Sequence, residues 1–227
     1  MRHLDSERGE RHPEPMRQTV AHKRVVVLGA TGATGRLVVS TALRHGHHVT
    51  ALACRPGSFA PAPGLREVEW RDVRDAATLS TALTGADAVI SALGGAARGP
   101  TSVCTDAMAV AVPAMRSAGT ARLVVVSAHG VAESRDRSPF SLAVWAAVGE
   151  RMRDKEAMES RVTSAPLRWT VVRPPRLTDA SATGTYRTAV DLPVHLWTSV
   201  PRADLADFLV REVEDPHHVH AFPRIAR

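Results

Sequence analysis

The sequence predicts an α/β protein in which helices cover both faces of a doubly wound parallel sheet, as one three-layer αβα domain. Three observations predict this class. Short apolar runs rich in β-branched residues alternate with helical patterns along most of the 227 residues. A glycine-rich turn at residues 29–35 joins the first strand to the first helix. The length suits a single α/β domain with a sizeable core.

Each element is predicted from its own pattern. The first strand is the buried run KRVVVLG, and the helix after it closes at Gly46, since glycine is favoured just beyond a helix end. The predicted strands share this apolar, β-branched character and cover residues 23–29, 47–54, 65–70, 87–93, 121–128 and 168–175. The predicted helices share an apolar face and cover residues 35–46, 75–84, 101–119, 142–163 and 202–214. A last edge strand is predicted at 219–224.

Composition narrows the classes of function. Residues 1–22 are polar and charged, and they predict a disordered extension before a domain at 23–227, with Met16 as an alternative start. No apolar run has the form of a secretory signal or the length of a membrane span. The two cysteines, Cys54 and Cys104, lack a metal spacing and suggest a reducing compartment, so a cytoplasmic protein is predicted.

The charge pattern argues against nucleic acid as a partner. The formal net charge of +6 is modest and is not gathered into a basic run interleaved with aromatic residues. It suits a small phosphate-rich ligand, in a protein predicted to be a monomer or a homodimer that does not bind membranes. No metal is predicted, because Asp215 is the one Cys, Asp or Glu at a plausible spacing to complete a metal set with the histidines His217, His218 and His220.

The strongest motif is VVVLGATGATGR at residues 25–36, where a strand leads directly into glycines that open a helix. Gly29 permits the tight turn, Gly32 lets the backbone approach a pyrophosphate, and Gly35 allows close packing of helix on strand. The helix start adds free N–H groups and the positive end of its dipole. The motif predicts a dinucleotide site, and the alternative is a glycine-rich turn without a ligand.

The spacing G-x-x-G-x-x-G, as GATGATG, resembles that of the extended and atypical short-chain dehydrogenases/reductases. Further segments resemble the NAD(P)H-binding group that includes biliverdin reductase B (flavin reductase) and NmrA-like proteins. These segments are GADAVISALGG at 85–95, LVVVSAHG at 123–130, LRWTVVRPPRLTD at 167–179, TGTY at 183–186 and VPRADLADFLVREV at 200–213. The resemblance covers residues 23–225 and implies a Rossmann-like fold and a nicotinamide cofactor, whereas it says little of the substrate.

The end of the second strand predicts which nicotinamide cofactor binds. It reads ALACRPGS, where Arg55 stands without an acid, and Arg36 follows the last glycine of the motif. Arginines suit a ribose 2′-phosphate, so NADP(H) is predicted with Arg55 as the main discriminator, unless both arginines are merely solvated. The motif and the resemblance assign the cofactor to positions near strand ends: Gly29, Thr31, Gly32, Ala33, Thr34, Gly35, Arg36, Arg55, Asp72, Val73, Ala92, Leu93, Gly94, Ser127, Lys155, Pro174 and Pro175.

The proton donor typical of short-chain reductases is missing. Those enzymes use Tyr-x-x-x-Lys, but Arg151 takes the place of the tyrosine before Lys155, and the single tyrosine, Tyr186, has no lysine at that spacing. The resemblance to flavin and biliverdin reductases implies acceptors that take their proton from solvent. Ser127, His129 and Lys155 are predicted to be catalytic, and the alternatives are a backbone-bonded serine and solvated histidine and lysine side chains.

A segment near the C-terminus is predicted to cover the substrate. Aromatic side chains in this segment can stack on a planar ring of the substrate. The residues assigned to the substrate are His129, Arg176, Tyr186, His195 and Trp197, with core packing as the alternative for the aromatic ones. Three functions are consistent with these features. They are an NADPH-dependent reductase of planar conjugated acceptors, an NmrA-like sensor that binds NADP(H) without turnover, and a ketoreductase, epimerase or cyclase of a specialised metabolite.

Overall fold

The central sheet is parallel and six-stranded in the computed structural model, which describes residues 22–95, 101–134, 139–195 and 197–227. The extension predicted at 1–22 lies outside these residues except for His22. The strands of the sheet are β1 (Arg24–Leu28), β2 (His48–Ala53), β3 (Leu65–Glu69), β4 (Ala88–Ser91), β5 (Arg122–Val126) and β6 (Arg168–Val172). Their order is β3-β2-β1-β4-β5-β6, which reverses between β1 and β4 and confirms the predicted fold.

Helices cover both faces of this sheet. The helices within the described residues are α1 (Ala33–Arg44), α2 (Ala76–Ala82), α3 (Val103–Ala118), α4 (Pro139–Thr163) and α5 (Arg202–Glu214). Because side chains alternate along a strand, Val25 and Val27 enter the core beneath α1 and α5, while Val26 and Leu28 enter the core beneath α2, α3 and α4. Among the described residues, no helix is long and apolar enough to cross a membrane.

Two small ladders extend the C-terminal part of the chain. β7 (Arg176–Thr178) pairs in parallel with β9 (Ser199–Pro201), and β8 (Arg187–Ala189) pairs in antiparallel fashion with β10 (Arg224–Ala226). Only residues 173–175 separate β7 from β6. The β7–β9 ladder therefore stands at the carboxyl edge of the sheet, where the ligands of such folds bind.

The last strand differs from its prediction at 219–224. Residues 220–223 do run beside β6, and the His220 N–H donates to the Trp169 carbonyl at 2.7 Å. The regular strand forms only afterwards, as β10. The reason is local, because His220 has a positive φ of 57° and Pro223 has no N–H to donate to a ladder.

Candidate functional site

The crevice between β1 and β4 contains the glycine-rich turn. Gly29 has a φ of 71°, a conformation that favours glycine. A Cβ on Gly29 would also come within 2.9 Å of the Leu93 amide nitrogen and 3.0 Å of the Ala92 carbonyl. The structure thus brings together three of the predicted cofactor residues at the point where the strand order reverses.

Gly35 lies where α1 starts over the end of β1. A Cβ on Gly35 would be 2.0 Å from the Gly29 carbonyl oxygen, so only glycine lets the helix approach the turn this closely. Gly32 directly precedes α1, and no side chain caps the start of this helix. The amides of Ala33, Thr34 and Gly35 at the uncapped helix start form a cradle that fits the pyrophosphate of a dinucleotide.

Arg36 is held beside this cradle by backbone carbonyls. Its Nε donates to the Thr31 carbonyl at 3.1 Å, and its Nη1 donates to the Ser58 carbonyl, in the loop after β2, at 2.8 Å. The guanidinium also lies over the Phe59 ring, 5.1 Å from its centroid. Arg55 is exposed in the same loop. The structure therefore places Arg36 against the loop that carries Arg55.

The other positions assigned to the adenosine side follow β3 and β4. Asp72 is exposed, and its carboxylate accepts the Arg74 N–H at 2.9 Å. Val73 packs half-buried against the core beneath α2, α3 and α4. Gly94 is exposed, with nothing within 4 Å of the place its Cβ would occupy. Contact of these residues with a cofactor stays a prediction.

Lys155 reaches the end of β5, where Ser127 follows the strand. Lys155 Nζ donates to the Val126 carbonyl at 2.8 Å, which brings the ammonium group next to Ser127. Ser127 is 3% exposed, and among the described residues its hydroxyl has no hydrogen-bond partner. Buried polar groups are nearly always hydrogen-bonded, so this hydroxyl fits a ligand that supplies the missing partner.

The loops after β5 and β6 are tied to each other. The Ser127 N–H donates to the Val172 carbonyl at 2.8 Å, and the His129 N–H donates to the Pro174 carbonyl at 2.9 Å. Pro174 is buried and Pro175 is half-buried. Predicted residues of the catalytic and nicotinamide sides thus share one edge of the sheet.

Two anchors on α4 were missed by sequence reasoning, and the first is Asp154. Its buried carboxylate accepts the amides of Cys104 and Thr105 at 3.0 and 2.9 Å, so it caps α3 from another helix. Burial raises the pKa of the Cys104 thiol to about 11, which keeps this thiol protonated. No local pattern marks Asp154, because its partners lie fifty residues earlier.

The second anchor is Glu159, one helical turn beyond Lys155. Arg173, at the end of β6, donates from Nε and Nη2 to the two Glu159 oxygens at 3.1 and 2.6 Å, and both side chains are buried. Arg173 also pairs with Glu133 and lies over the Phe222 ring, 4.1 Å from its centroid. One face of α4 therefore holds the ends of both β5 and β6.

Tyr186 is engaged with α5. Its hydroxyl donates to the Asp207 carboxylate at 2.6 Å, and its ring meets Phe208 edge-on at 6.1 Å. Burial, and then the bond to Asp207, raise the pKa of Tyr186 far above its ordinary value. Asp204 fixes the preceding loop by accepting the amides of residues 183–184. The Tyr186 hydroxyl is therefore a poor proton donor.

The other predicted substrate residues surround the β7–β9 ladder. Arg176 begins β7, is exposed and pairs in register with Ser199. Trp197 is 77% exposed and stacks on His195, with ring centroids 6.0 Å apart and an interplanar angle of 27°. Ser199 pairs with Arg176, which begins β7 shortly after the end of β6. Trp197 stands two residues before Ser199, so the stacked pair lies near the end of β6. It offers a surface on which a planar molecule can stack.

The histidines near the C-terminus each have a separate partner. His217 pairs with an exposed aspartate, His218 with the buried Glu212, and His220 with a backbone carbonyl. Within the part of the chain that the structure describes, these three rings share no partner, and the prediction that they bind no metal stays a prediction.

A different cluster, at the C-terminal end of α1, does contain metal-ligating residue types. His45 Nδ1 and His47 Nε2 lie 2.8 and 2.9 Å from the same Glu214 oxygen. The Lys23 N–H donates to His47 Nδ1 at 3.3 Å, so the ring proton of neutral His47 sits on Nε2 and faces Glu214. In this arrangement the cluster joins the C-terminal ends of α1 and α5 through hydrogen bonds.

The fold, the phosphate cradle and the anchored strand ends define a nicotinamide-dinucleotide-binding protein. The chain matches the model of an NAD(P)H-binding family over residues 29–216, and it belongs to that family. Uncharacterized proteins of Mycobacterium bovis and Mycobacterium tuberculosis are 34% identical over 105 residues, which is 46% of this chain. The match covers 12% of the length of those relatives.

Solved structures of several proteins are similar in fold. ChuY, an anaerobillin reductase of Escherichia coli O157:H7, shares 24% identity and a TM-score of 0.76, over 89% of this chain and 96% of that chain. The oxidoreductase ylbE of Lactococcus lactis shares 19% identity and a TM-score of 0.76, over 89% and 90%. A Streptococcus pneumoniae protein named as a candidate NADH-flavin reductase shares 22% identity and a TM-score of 0.70, over 90% of this chain and 99% of that chain. Such identities establish the fold alone.

Proposed function

We propose that the protein is an NADPH-dependent reductase that transfers hydride to a planar conjugated acceptor, such as a flavin, a quinone or a related carbonyl compound. The observation that carries this proposal is the position of Tyr186, the only tyrosine in the sequence. Its hydroxyl is bound to Asp207 and its pKa is raised. A site without a tyrosine acid suits acceptors that stabilise the added electrons by conjugation and take a proton from water.

The residues at the strand ends have separate roles in this proposal. The cradle at the start of α1 holds the pyrophosphate, and Arg36 and Arg55 bind the 2′-phosphate of NADPH, which supplies the hydride when bound. Lys155 donates to the nicotinamide ribose from its place beside the Val126 carbonyl. Ser127 donates its hydroxyl to the carboxamide or to the acceptor.

The acceptor is proposed to lie between the loops after β5 and β6 and the β7–β9 ladder. The stacked pair of His195 and Trp197 provides a flat exposed surface, and Arg176 supplies a positive charge nearby. Two proteins of similar fold carry names that point to conjugated acceptors, anaerobillin reductase and NADH-flavin reductase, which supports this substrate class. The missing tyrosine also favours a second function, an NADP(H) sensor without turnover.

Replacing Tyr186 by phenylalanine is expected to leave most of the turnover with a flavin or quinone. The reason is that the Tyr186 hydroxyl is bonded to Asp207 on α5 and is not used as a proton donor. Ser127→Ala is expected to lower turnover on the same acceptor about tenfold, the scale of one lost hydrogen bond. Steady-state loss of nicotinamide absorbance measures both. A loss of about a thousandfold in Tyr186→Phe alone, on the scale of ~4 kcal/mol, would make Tyr186 a proton donor and contradict the proposal. If neither variant changed turnover while NADPH still bound, the sensor would be favoured.

Replacing Arg55 by alanine is expected to weaken NADPH binding about ten- to a hundred-fold, because a charge-assisted contact to the 2′-phosphate is lost. The affinity for NADH, which has no 2′-phosphate, is expected to stay the same. Calorimetry with both nucleotides measures this, and Arg44→Ala, which removes the same charge from the far end of α1, is the control. Equal affinity of the unmodified protein for NADPH and NADH would refute the assignment.

A further inference from the structure

We propose that Glu67 on β3 is a positioning residue for recognition of the 2′-phosphate, because it holds the loop that fixes Arg36. The inference rests on the proposed preference for NADPH. It adds a residue that no motif in the sequence marks, and it predicts that an acidic side chain supports the binding of an anion.

Glu67 directs its carboxylate into the loop between β2 and β3. One oxygen accepts the Ser58 N–H at 2.9 Å, and the other accepts the Phe59 N–H at 3.2 Å. Hydrogen bonds to an ionised acceptor are stronger than neutral ones, and two successive amides that converge on one anion form a nest. The half-buried carboxylate therefore fixes the backbone at residues 58 and 59.

The fixed backbone in turn positions Arg36. Arg36 contacts the Ser58 carbonyl and the Phe59 ring, so each of its contacts in this loop comes from a residue whose amide Glu67 holds. The Ser58 hydroxyl donates to the Arg55 carbonyl at 2.7 Å, which closes the turn that carries Arg55. The connection runs from Glu67 through residues 58 and 59 to the arginine beside the phosphate cradle.

Charge and geometry predict opposite effects of Glu67. If repulsion between its carboxylate and the 2′-phosphate dominated, removing the charge would tighten NADPH binding. If its hold on the loop dominates, removing the acceptor frees Arg36 and weakens NADPH binding. The sign of the change in NADPH affinity therefore decides between the two.

The test is calorimetric affinity for NADPH and NADH in Glu67→Gln. Glutamine keeps one acceptor oxygen and turns an NH₂ group toward the second amide, so NADPH is expected to bind about tenfold more weakly while NADH changes less than about twofold. Glu69→Gln is the matched control, because it removes the same charge from β3 at an exposed pair with Arg71. Glu67→Asp, which keeps the charge but is too short to span both amides, is expected to weaken NADPH as well.

A double-mutant cycle checks that Glu67 acts through Arg36. In an Arg36→Ala background, Glu67→Gln is expected to change NADPH affinity less than about twofold. Unchanged or tighter NADPH binding in Glu67→Gln, or an equal loss with NADH, would overturn the inference while the unmodified protein still preferred NADPH. If the unmodified protein showed no such preference, the proposed cofactor assignment itself would fail, whatever Glu67 does.

Discussion

Alanine at position 35 is expected to destabilise the domain and to reduce NADPH binding at least a hundredfold. Alanine in place of glycine normally stabilises a helix, but here its Cβ would lie 2.0 Å from the Gly29 carbonyl oxygen. The start of α1 must move, at a cost of roughly 1–3 kcal/mol in the free energy of unfolding, as at other overpacked sites. A misplacement of about 1 Å can cost about a hundredfold in the rate of a reaction that needs fixed geometry, and we expect the affinity for NADPH to fall on at least this scale.

Denaturant unfolding and NADPH titration measure these two effects. The matched control is Gly149→Ala in α4, where the nearest atoms to the added Cβ are 3.7 Å away, so stability and binding are expected to change little. If Gly35→Ala bound NADPH as tightly as the unmodified protein, the glycine-rich turn would not be the phosphate site.

Methionine in place of Arg173 is expected to lower the free energy of unfolding by about 3–5 kcal/mol, the scale of a broken buried ion pair. The Glu159 carboxylate, which is 4% exposed, would stay buried after losing both bonds to the guanidinium. The end of β6, just before Pro174 and Pro175, would also lose its link to α4. Turnover is therefore expected to fall together with stability.

Two further variants isolate the cause. Arg153→Met removes an exposed ion pair with Glu150 on the same helix. It is expected to lower the free energy of unfolding by less than about 1 kcal/mol. Adding Glu159→Leu to Arg173→Met removes the buried carboxylate that lost its partner, and it is expected to recover most of the lost free energy of unfolding. A double variant as unstable as the single one would mean that the loss comes from packing, for instance on Phe222, and not from the buried charge.

Features that arise within one run of successive residues were predictable from the sequence. Gly29 and Gly35 lie six residues apart, and their close contact follows from a strand, a turn and a helix in succession. The strands and helices of the sheet follow from periodicity. The edge strand predicted at 219–224 was misplaced because an apolar pattern contains no information on backbone detail. Pro223 lacks an N–H for the ladder, and His220 has a positive φ.

The contacts that anchor the site were not predictable, since they join side chains to backbone or side-chain groups in other elements of the fold. Asp154 caps α3, and Glu67 holds the loop after β2, but nothing in the spacing of common carboxylates selects these partners. The absence of a tyrosine beside Lys155 could be inferred from spacing alone. The bond from Tyr186 to Asp207 could not, because it depends on how the C-terminal segment folds onto α5.

Acceptor-dependent oxidation of NADPH by the unmodified protein tests the central claim most directly. The measurement follows loss of nicotinamide absorbance with a panel of flavins, quinones and unconjugated ketones, at equal protein and nucleotide concentrations. We expect turnover with one or more planar conjugated acceptors and little with the ketones, which need an acid for reduction. NADPH that binds but is not oxidised by any conjugated acceptor, or turnover confined to the unconjugated ketones, would contradict the account.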